Sequence, residues 1–233
     1  MSTNLAKKLR EGTTKSHSMA ENVSFVKSFL GGVVDRKPYA KLLGNLYFIY
    51  SAIEEAIEIN RFHELVKFIY YPQLARKASL VEDLYYYYGK DWSKQITPSP
   101  ATQIYVDRIK KISYNNPELL IAHSYTRYIG DLSGGQILKK IAKNAMQLPD
   151  DSGSAFYDFN MIDDEIGFKN QYRNALDKIP LSQVKIEQIV AEANVAFNLN
   201  MKIFQELNSN LFKIMSMVFL SSIKAFRKKL SIS

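Results

Sequence analysis

Apolar residues recur at intervals of three and four positions along most of the chain, a period that predicts α-helices. The first predicted helix covers residues 4 to about 17, and Leu5, Leu9 and Thr13 fall on one of its faces. A longer helix is predicted over residues 38 to about 60, opening on a proline, which the first helical turn tolerates.

The same period continues towards the C-terminus. Residues 117–146 form one long periodic stretch, which predicts a kinked rather than a straight helix. Two more helices are predicted near residues 163–178 and 182–208, and no strand-like alternation persists for more than a few residues. The prediction is a single all-α domain, with a core over about residues 1–208 and a terminal helix and tail over 209–233. Four prolines precede or open the later helical patterns: Pro72, Pro100, Pro117 and Pro180.

The last apolar run is "IMSMVFLSSI" at residues 214–223, bracketed by Lys213 and Lys224. A helix needs about 20 apolar residues to span a bilayer, and this run is shorter. We therefore expect a terminal helix packed on the core and no membrane anchor, with amphipathic binding to a membrane surface as the alternative.

Composition and charge exclude several classes of function. The chain is 46% hydrophobic and 23% charged, which is typical of a soluble globular protein. It contains no cysteine, which excludes disulfides and catalytic thiols. The net charge of +8 favours an acidic partner. The basic residues are dispersed and form no RNA-binding motif, so a nucleic-acid partner is not expected.

The stretch "YTRYIGDLSGGQILKKIAKNAM", residues 125–146, places three glycines inside a helical pattern. Each glycine costs a helix interior roughly 0.5–1 kcal/mol relative to alanine. Gly130, Gly134 and Gly135 could allow a close crossing of two helices, or they could let a cofactor approach the backbone. Asp131 favours the second interpretation, because a carboxylate on an apolar helix needs a specific partner.

His17 continues the face of Leu5, Leu9 and Thr13, and Glu21 follows it by one helical turn. A carboxylate at this position can orient a metal-bound imidazole. The chain has only three histidines and no cysteine, so a site with several protein ligands to zinc is not expected. A porphyrin supplies four ligands itself, and heme is therefore the metal group that this sequence can most easily hold.

Two segments, "HSMAENVSF" at 17–25 and "AHSYTRYIGDLSGGQILKKIA" at 122–142, resemble the signature segments of heme oxygenase. The resemblance extends over nearly the whole chain, including "NLYFIYSAIEE", "EDLYYYYG" and "EANVAFNLNMKIFQEL". It is strongest towards the cyanobacterial and algal plastid enzymes. It implies a helical bundle that holds heme b between a proximal helix and a kinked distal helix.

Carried over position by position, the resemblance implies that His17 is the proximal iron ligand and that Glu21 is its hydrogen-bond partner. It implies that Asp131 is the distal acid, which orders water near bound oxygen. The other members implied for the distal side are Gly130, Gly134, Gly135, Arg127 and Tyr50.

The resemblance also implies residues that hold the heme. The groups implied to bind or neighbour the propionates are Arg10, Tyr125, Lys169 and Arg173. The groups implied along the pocket are Phe197, Asn200 and Phe204. His63 is expected at the surface, and His123 has no implied role as a ligand.

The activity implied is the opening of heme at the α-meso carbon to biliverdin IXα, carbon monoxide and ferrous iron. It uses O2 and electrons from reduced ferredoxin, an acidic protein that the +8 charge suits. The product would supply phycobilin or phytochrome chromophores, with a bilin reductase as a further partner. The expected location is the plastid stroma or the cyanobacterial cytoplasm.

Three other functions are compatible with parts of the pattern. A non-enzymatic heme carrier would share the fold and leave heme intact. A thiaminase-like hydrolase or a cofactor-free oxidase would share the helical architecture, but the thiaminase type needs a cysteine that this chain lacks. A basic nucleic-acid-binding protein has only the net charge in its favour.

Overall fold

A computed structural model describes the backbone of residues 3–150 and 152–230, and the side chains up to residue 207. The described residues contain no β-strand, which confirms the all-α prediction. The α-helices are α1 Leu5–Glu21, α2 Ser24–Leu30, α3 Arg36–Ile59, α4 Lys77–Tyr88, α5 Trp92–Gln95, α6 Pro100–Asn115, α7 Leu120–Ser124, α8 Gly130–Met146, α9 Glu165–Asp177 and α10 Gln183–Leu230. Short 3-10 turns lie at Val66–Ile69, Pro72–Leu74, Pro117–Leu119 and Ala155–Tyr157.

Helix α3 lies at the centre of the core. Its side chains from Tyr39 to Ile57 are buried on most faces, including Ile49, Tyr50 and Ile53, which are fully enclosed. Helices α4 and α6 pack against it, and α10 packs along α1, α6 and α7. A helix that is apolar on nearly all sides belongs inside a bundle, as α3 is.

Local sequence explains several helix ends. Pro100 occupies the first turn of α6, and the Ser99 side chain caps that helix by accepting a hydrogen bond from Thr102 N. At α9, the Asp164 side chain accepts from the N–H groups of Ile166 and Gly167.

Residues 117–146 do not form one bent α-helix. A π-helical turn, Tyr125–Ile129, separates α7 from α8. Gly130 follows this turn with ordinary helical angles, φ −61° and ψ −49°. The predicted irregularity is therefore present, but the glycines do not cause it through unusual backbone angles. Such π-turns are frequent at functional sites.

The helix predicted near 182–208 does not end at residue 208, and α10 continues to Leu230. Its apolar period carries the helix across the predicted boundary. The side chains of the 214–223 run lie outside the described residues, and so does its predicted packing on the core. Among the described residues, no helix has the length and apolar character that crossing a bilayer requires.

Candidate active site

A cleft lies between α1 and the junction of the π-helical turn with α8. Its outer part is a cavity of about 410 Å³, lined by residues that include His17, Ile129, Gly130 and Phe197. An inner cavity of about 230 Å³ shares His17 and Gly130 with the outer one. The two cavities therefore adjoin, and together they extend from the surface to the core.

His17 stands on the α1 wall of this cleft. Leu5, Leu9 and Thr13 on the same face are buried, but the His17 side chain is 60% exposed because the face opens into the cleft. Its Nδ1 lies 3.5 Å from Glu21 Oε1, and its ring packs edge-on to Phe197 at a centroid distance of 5.8 Å. Since Glu21 engages Nδ1, Nε2 is the ring nitrogen available to a metal.

The opposite wall is the glycine-bearing start of α8. A Cβ atom built on Gly130 or Gly134 would meet no atom within 4 Å, so both backbones border open space. The close helix crossing is therefore the wrong interpretation of these two positions. Gly135 differs, because a Cβ there would lie 3.6 Å from the Tyr157 ring. It packs on protein rather than on the cleft.

Asp131 belongs to a hydrogen-bonded cluster behind this wall. Tyr50 on α3 donates its hydroxyl proton to Asp131 Oδ2, and Arg127 Nε donates to the Tyr50 oxygen at 2.9 Å. Arg127 Nη1 also donates to Asn200 Oδ1 at 3.0 Å, and Nη2 lies 3.6 Å from Asp131 Oδ1. The structure thus brings together four predicted residues from α3, the π-turn, α8 and α10.

The electrostatics of this cluster centre on the carboxyl group. Burial raises the pKa of Asp131, while the positive charge of Arg127 and the hydrogen bond from Tyr50 oppose the rise. Burial likewise raises the pKa of Tyr50, which keeps its hydroxyl protonated as a donor. The cluster holds one carboxyl group in a fixed orientation at the border of the inner cavity.

The mouth of the cleft carries positive charge. Arg10 from α1 and Arg173 from α9 both line the outer cavity, with Tyr125 between them. Burial raises the pKa of Tyr125, and the charges of Arg173 and Arg10 oppose that rise, so both charges lie near its ring. Lys169 lies one turn before Arg173 on α9 and is half-buried, but it does not line the cavity. Two guanidinium groups here can bind carboxylates.

These features match what a heme group requires. One imidazole faces the cleft, Gly130 leaves room on the opposite wall with further open space at Gly134, and arginines at the mouth suit the two propionates. The remaining lining is largely apolar and includes Phe204 on α10. Within the part of the chain whose side chains are described, no group of three His, Asp or Glu side chains could hold a metal ion by itself. The single histidine of a porphyrin site fits this donor set.

Sequence reasoning missed a second buried network, centred on His123 and Glu192. His123 is fully buried, with Nε2 2.9 Å from Glu192 Oε1 and Nδ1 3.2 Å from the Tyr105 hydroxyl. Arg108 forms a two-pronged ion pair with Glu192. Both His123 nitrogens are engaged, so it is not placed to bind a metal in the cleft. His63 is half-buried rather than fully at the surface. The sequence feature that could have indicated this network is Glu192, a carboxylate among the apolar positions of α10.

Comparison with known proteins agrees with this geometry. The family model described as heme oxygenase matches residues 3–206. The heme oxygenase of Porphyra purpurea is 61% identical over 98% of this chain and 97% of its own length. That of Pyropia yezoensis is 64% identical over 97% of this chain and 94% of its own.

A solved structure supports the same assignment. The crystal structure of heme oxygenase-1 from Synechocystis sp. PCC6803, in complex with heme, aligns with a TM-score of 0.89. The identity is 56%, and the alignment covers 95% of this chain and all of the crystallised one. The family match, these identities and the shared fold lead to one conclusion: the chain is a member of the heme oxygenase family.

Proposed function

We propose that this protein binds heme b in the cleft and oxidatively cleaves it at the α-meso carbon, yielding biliverdin IXα, carbon monoxide and ferrous iron. The observation that carries the proposal is the pair of facing walls, with His17 on one side and Gly130 on the other, and the open backbone of Gly134 one helical turn further along α8. Heme, when bound, is both the substrate and the group at which O2 is activated.

On the proximal side, His17 would hold the iron through Nε2. Glu21 contacts Nδ1 and would fix which nitrogen carries the proton. The chain has no cysteine, so the ligand would be an imidazole rather than a strongly donating thiolate. A neutral ligand pushes less electron density towards bound oxygen than a thiolate does.

On the distal side, the missing side chains of Gly130 and Gly134 would let heme approach the α8 backbone closely. Asp131 would order a water molecule there rather than donate a proton directly. Tyr50 and Arg127 hold its carboxyl group in place, and Asn200 holds Arg127. Their role is to fix the position of one acceptor inside a largely apolar cavity.

At the cleft mouth, Arg10 and Arg173 would bind the propionates, with Tyr125 between them and Lys169 adding positive charge from the same face of α9. These contacts would set the orientation of the heme in the cleft, and with it the meso position that is cleaved. Phe197 and Phe204 would pack against the ring.

The electron donor proposed is reduced ferredoxin. Its support is the net charge of +8, which would attract an acidic protein, together with the similarity to red-algal and cyanobacterial relatives. We further propose that the biliverdin passes to a bilin reductase for phycobilin or phytochrome chromophores, in a plastid stroma or a cyanobacterial cytoplasm.

One experiment separates the enzyme from a heme carrier. Hemin is added to the purified protein, and reduced ferredoxin is then supplied in air while the spectrum is recorded. Loss of the Soret band with growth of a biliverdin band supports the proposal. A Soret band that forms and persists under reductant and oxygen would identify a carrier.

A further inference from the structure

The segment between α8 and α9 supplies one wall of the inner cavity. Phe156 and Tyr157, in the 3-10 turn Ala155–Tyr157, both line it. The Phe156 ring lies 5.5 Å from the Tyr50 ring, and Tyr157 packs on Gly135 of α8. The position of this turn therefore sets the shape of the space beside the distal cluster.

A buried carboxylate holds the turn from outside the cleft. Asp83 on α4 is fully buried, and its two oxygens accept one hydrogen bond each, at 2.8 Å, from Ala155 N and Phe156 N. Burial raises the pKa of Asp83 to about 7, while the two N–H groups oppose that rise. The ionised carboxylate is the stronger acceptor for both N–H groups, because protonation turns one of its oxygens into a hydroxyl donor with less acceptor capacity.

A buried guanidinium holds the carbonyls of the same segment. Arg76, at the start of α4, donates through Nη1 to Phe156 O at 3.3 Å and also to Asp158 O. Its guanidinium carbon lies 3.8 Å from the centre of the Phe159 ring. Arg76 and Asp83 thus bind the carbonyl and amide groups of one turn from a single helix.

Tyrosine contacts fix the start of the segment. The Tyr87 hydroxyl donates to Gly153 O at 2.9 Å. Gly153 has φ +75°, and a Cβ there would lie 2.6 Å from the Tyr86 ring, so no other residue fits this close approach.

We propose that Asp83 is a positioning residue for heme cleavage, acting through Ala155 and Phe156 on the wall of the inner cavity. The proposal rests on the proposed function, but the contact that it invokes exists in the protein without heme. Burying two charged side chains is costly unless they are fully satisfied. Here Asp83, and Arg76 through its Nη1, are satisfied by the segment that carries two cavity-lining aromatic side chains, Phe156 and Tyr157.

The test uses Asp83→Asn, with Glu82→Gln as the matched control. Glu82 is the exposed neighbour on the same helix, so its substitution removes the same charge without touching the turn. Hydrogen exchange of the heme-free protein is measured first. The Ala155 and Phe156 amides should exchange about tenfold faster or more in Asp83→Asn, because they lose a charged acceptor, and should not change in Glu82→Gln.

The second measurement is made on the heme complex. Asp83→Asn should bind hemin within a few-fold of native affinity, because its substitution leaves His17 and both arginines in place. The turnover number should fall, and biliverdin isomers other than α should appear, without a matching rise in KM. Unchanged exchange at both amides would overturn the proposed contact. Faster exchange with native turnover and pure α product would overturn the positioning role.

Tyr87→Phe covers the case in which Asp83→Asn does not fold. It loosens the same segment at Gly153 and removes a single hydroxyl. Faster exchange across residues 153–157 together with mixed isomers would support the role of the turn. Faster exchange with pure α product at the native rate would overturn it. If the native protein did not cleave heme, the proposed function would be wrong, but the hydrogen-exchange test of the contact between Asp83 and the turn would still be valid.

Discussion

Replacing Gly134 with alanine should move stability and function in opposite directions. A Cβ at this position meets no atom within 4 Å, so it adds no clash to the heme-free protein. Removing a glycine from a helix interior stabilises that helix by roughly 0.5–1 kcal/mol. For a chain of this size, such a gain corresponds to an increase in Tm of about 1–4 °C.

Gly134 follows the cavity-lining Gly130 by about one helical turn, so the proposal places heme over both and the added methyl group would enter that space. Hemin affinity or turnover should therefore fall in Gly134→Ala, and fall much further in Gly134→Leu. The measurements are differential scanning calorimetry without heme, a hemin titration followed at the Soret band, and biliverdin formation.

Gly135→Ala is the matched control. Its Cβ would sit at ordinary contact distance, 3.6 Å, from Tyr157, away from the open wall. It should gain helix stability in the same way and keep native hemin affinity. A lower Tm in Gly134→Ala would show that the wall is not open. Native binding and turnover in Gly134→Leu would refute the idea that heme lies over this backbone.

Four further outcomes test other parts of the site. His17→Ala should abolish the histidine-ligated heme spectrum, and an unchanged iron–histidine stretch in resonance Raman would refute the ligand assignment. Asp131→Leu should still bind heme but lose ring opening, so undiminished biliverdin would remove it from the mechanism. Replacing Lys169 and Arg173 together with Glu should yield isomers other than α, and pure α product at the native rate would exclude propionate binding. Burial alone would raise the pKa of Glu192, but hydrogen bonds from Arg108 and His123 lower this pKa from 4.5 to about 2. The stability that the ionised Glu192 contributes above pH 4.5 should therefore be lost as the pH falls towards 2. The free energy of unfolding, measured in urea across that pH range, should fall by no more than about 3 kcal/mol. If Glu192→Gln showed the same pH dependence of stability as the native protein, Glu192 would not be the group responsible.

The local sequence was enough to predict most of the helices and the face of α1 that carries His17. Leu5, Leu9, Thr13 and His17 share one face because a helix repeats every 3.6 residues, and this follows from spacing alone. The contact of Glu21 with His17 is set by the same repeat. The resemblance of residues 122–142 to heme oxygenase likewise depends only on the order of residues.

Only the tertiary structure decided which distant residues meet. Tyr50 and Asp131 are separated by 81 positions, and Asp83 and Phe156 by 73, so no local period relates them. The structure also shows that two adjacent glycines have different surroundings: Gly134 faces open space, whereas Gly135 packs on Tyr157. A one-residue step turns a helix by about 100°, and what each face then meets depends on the neighbouring elements rather than on the helix itself.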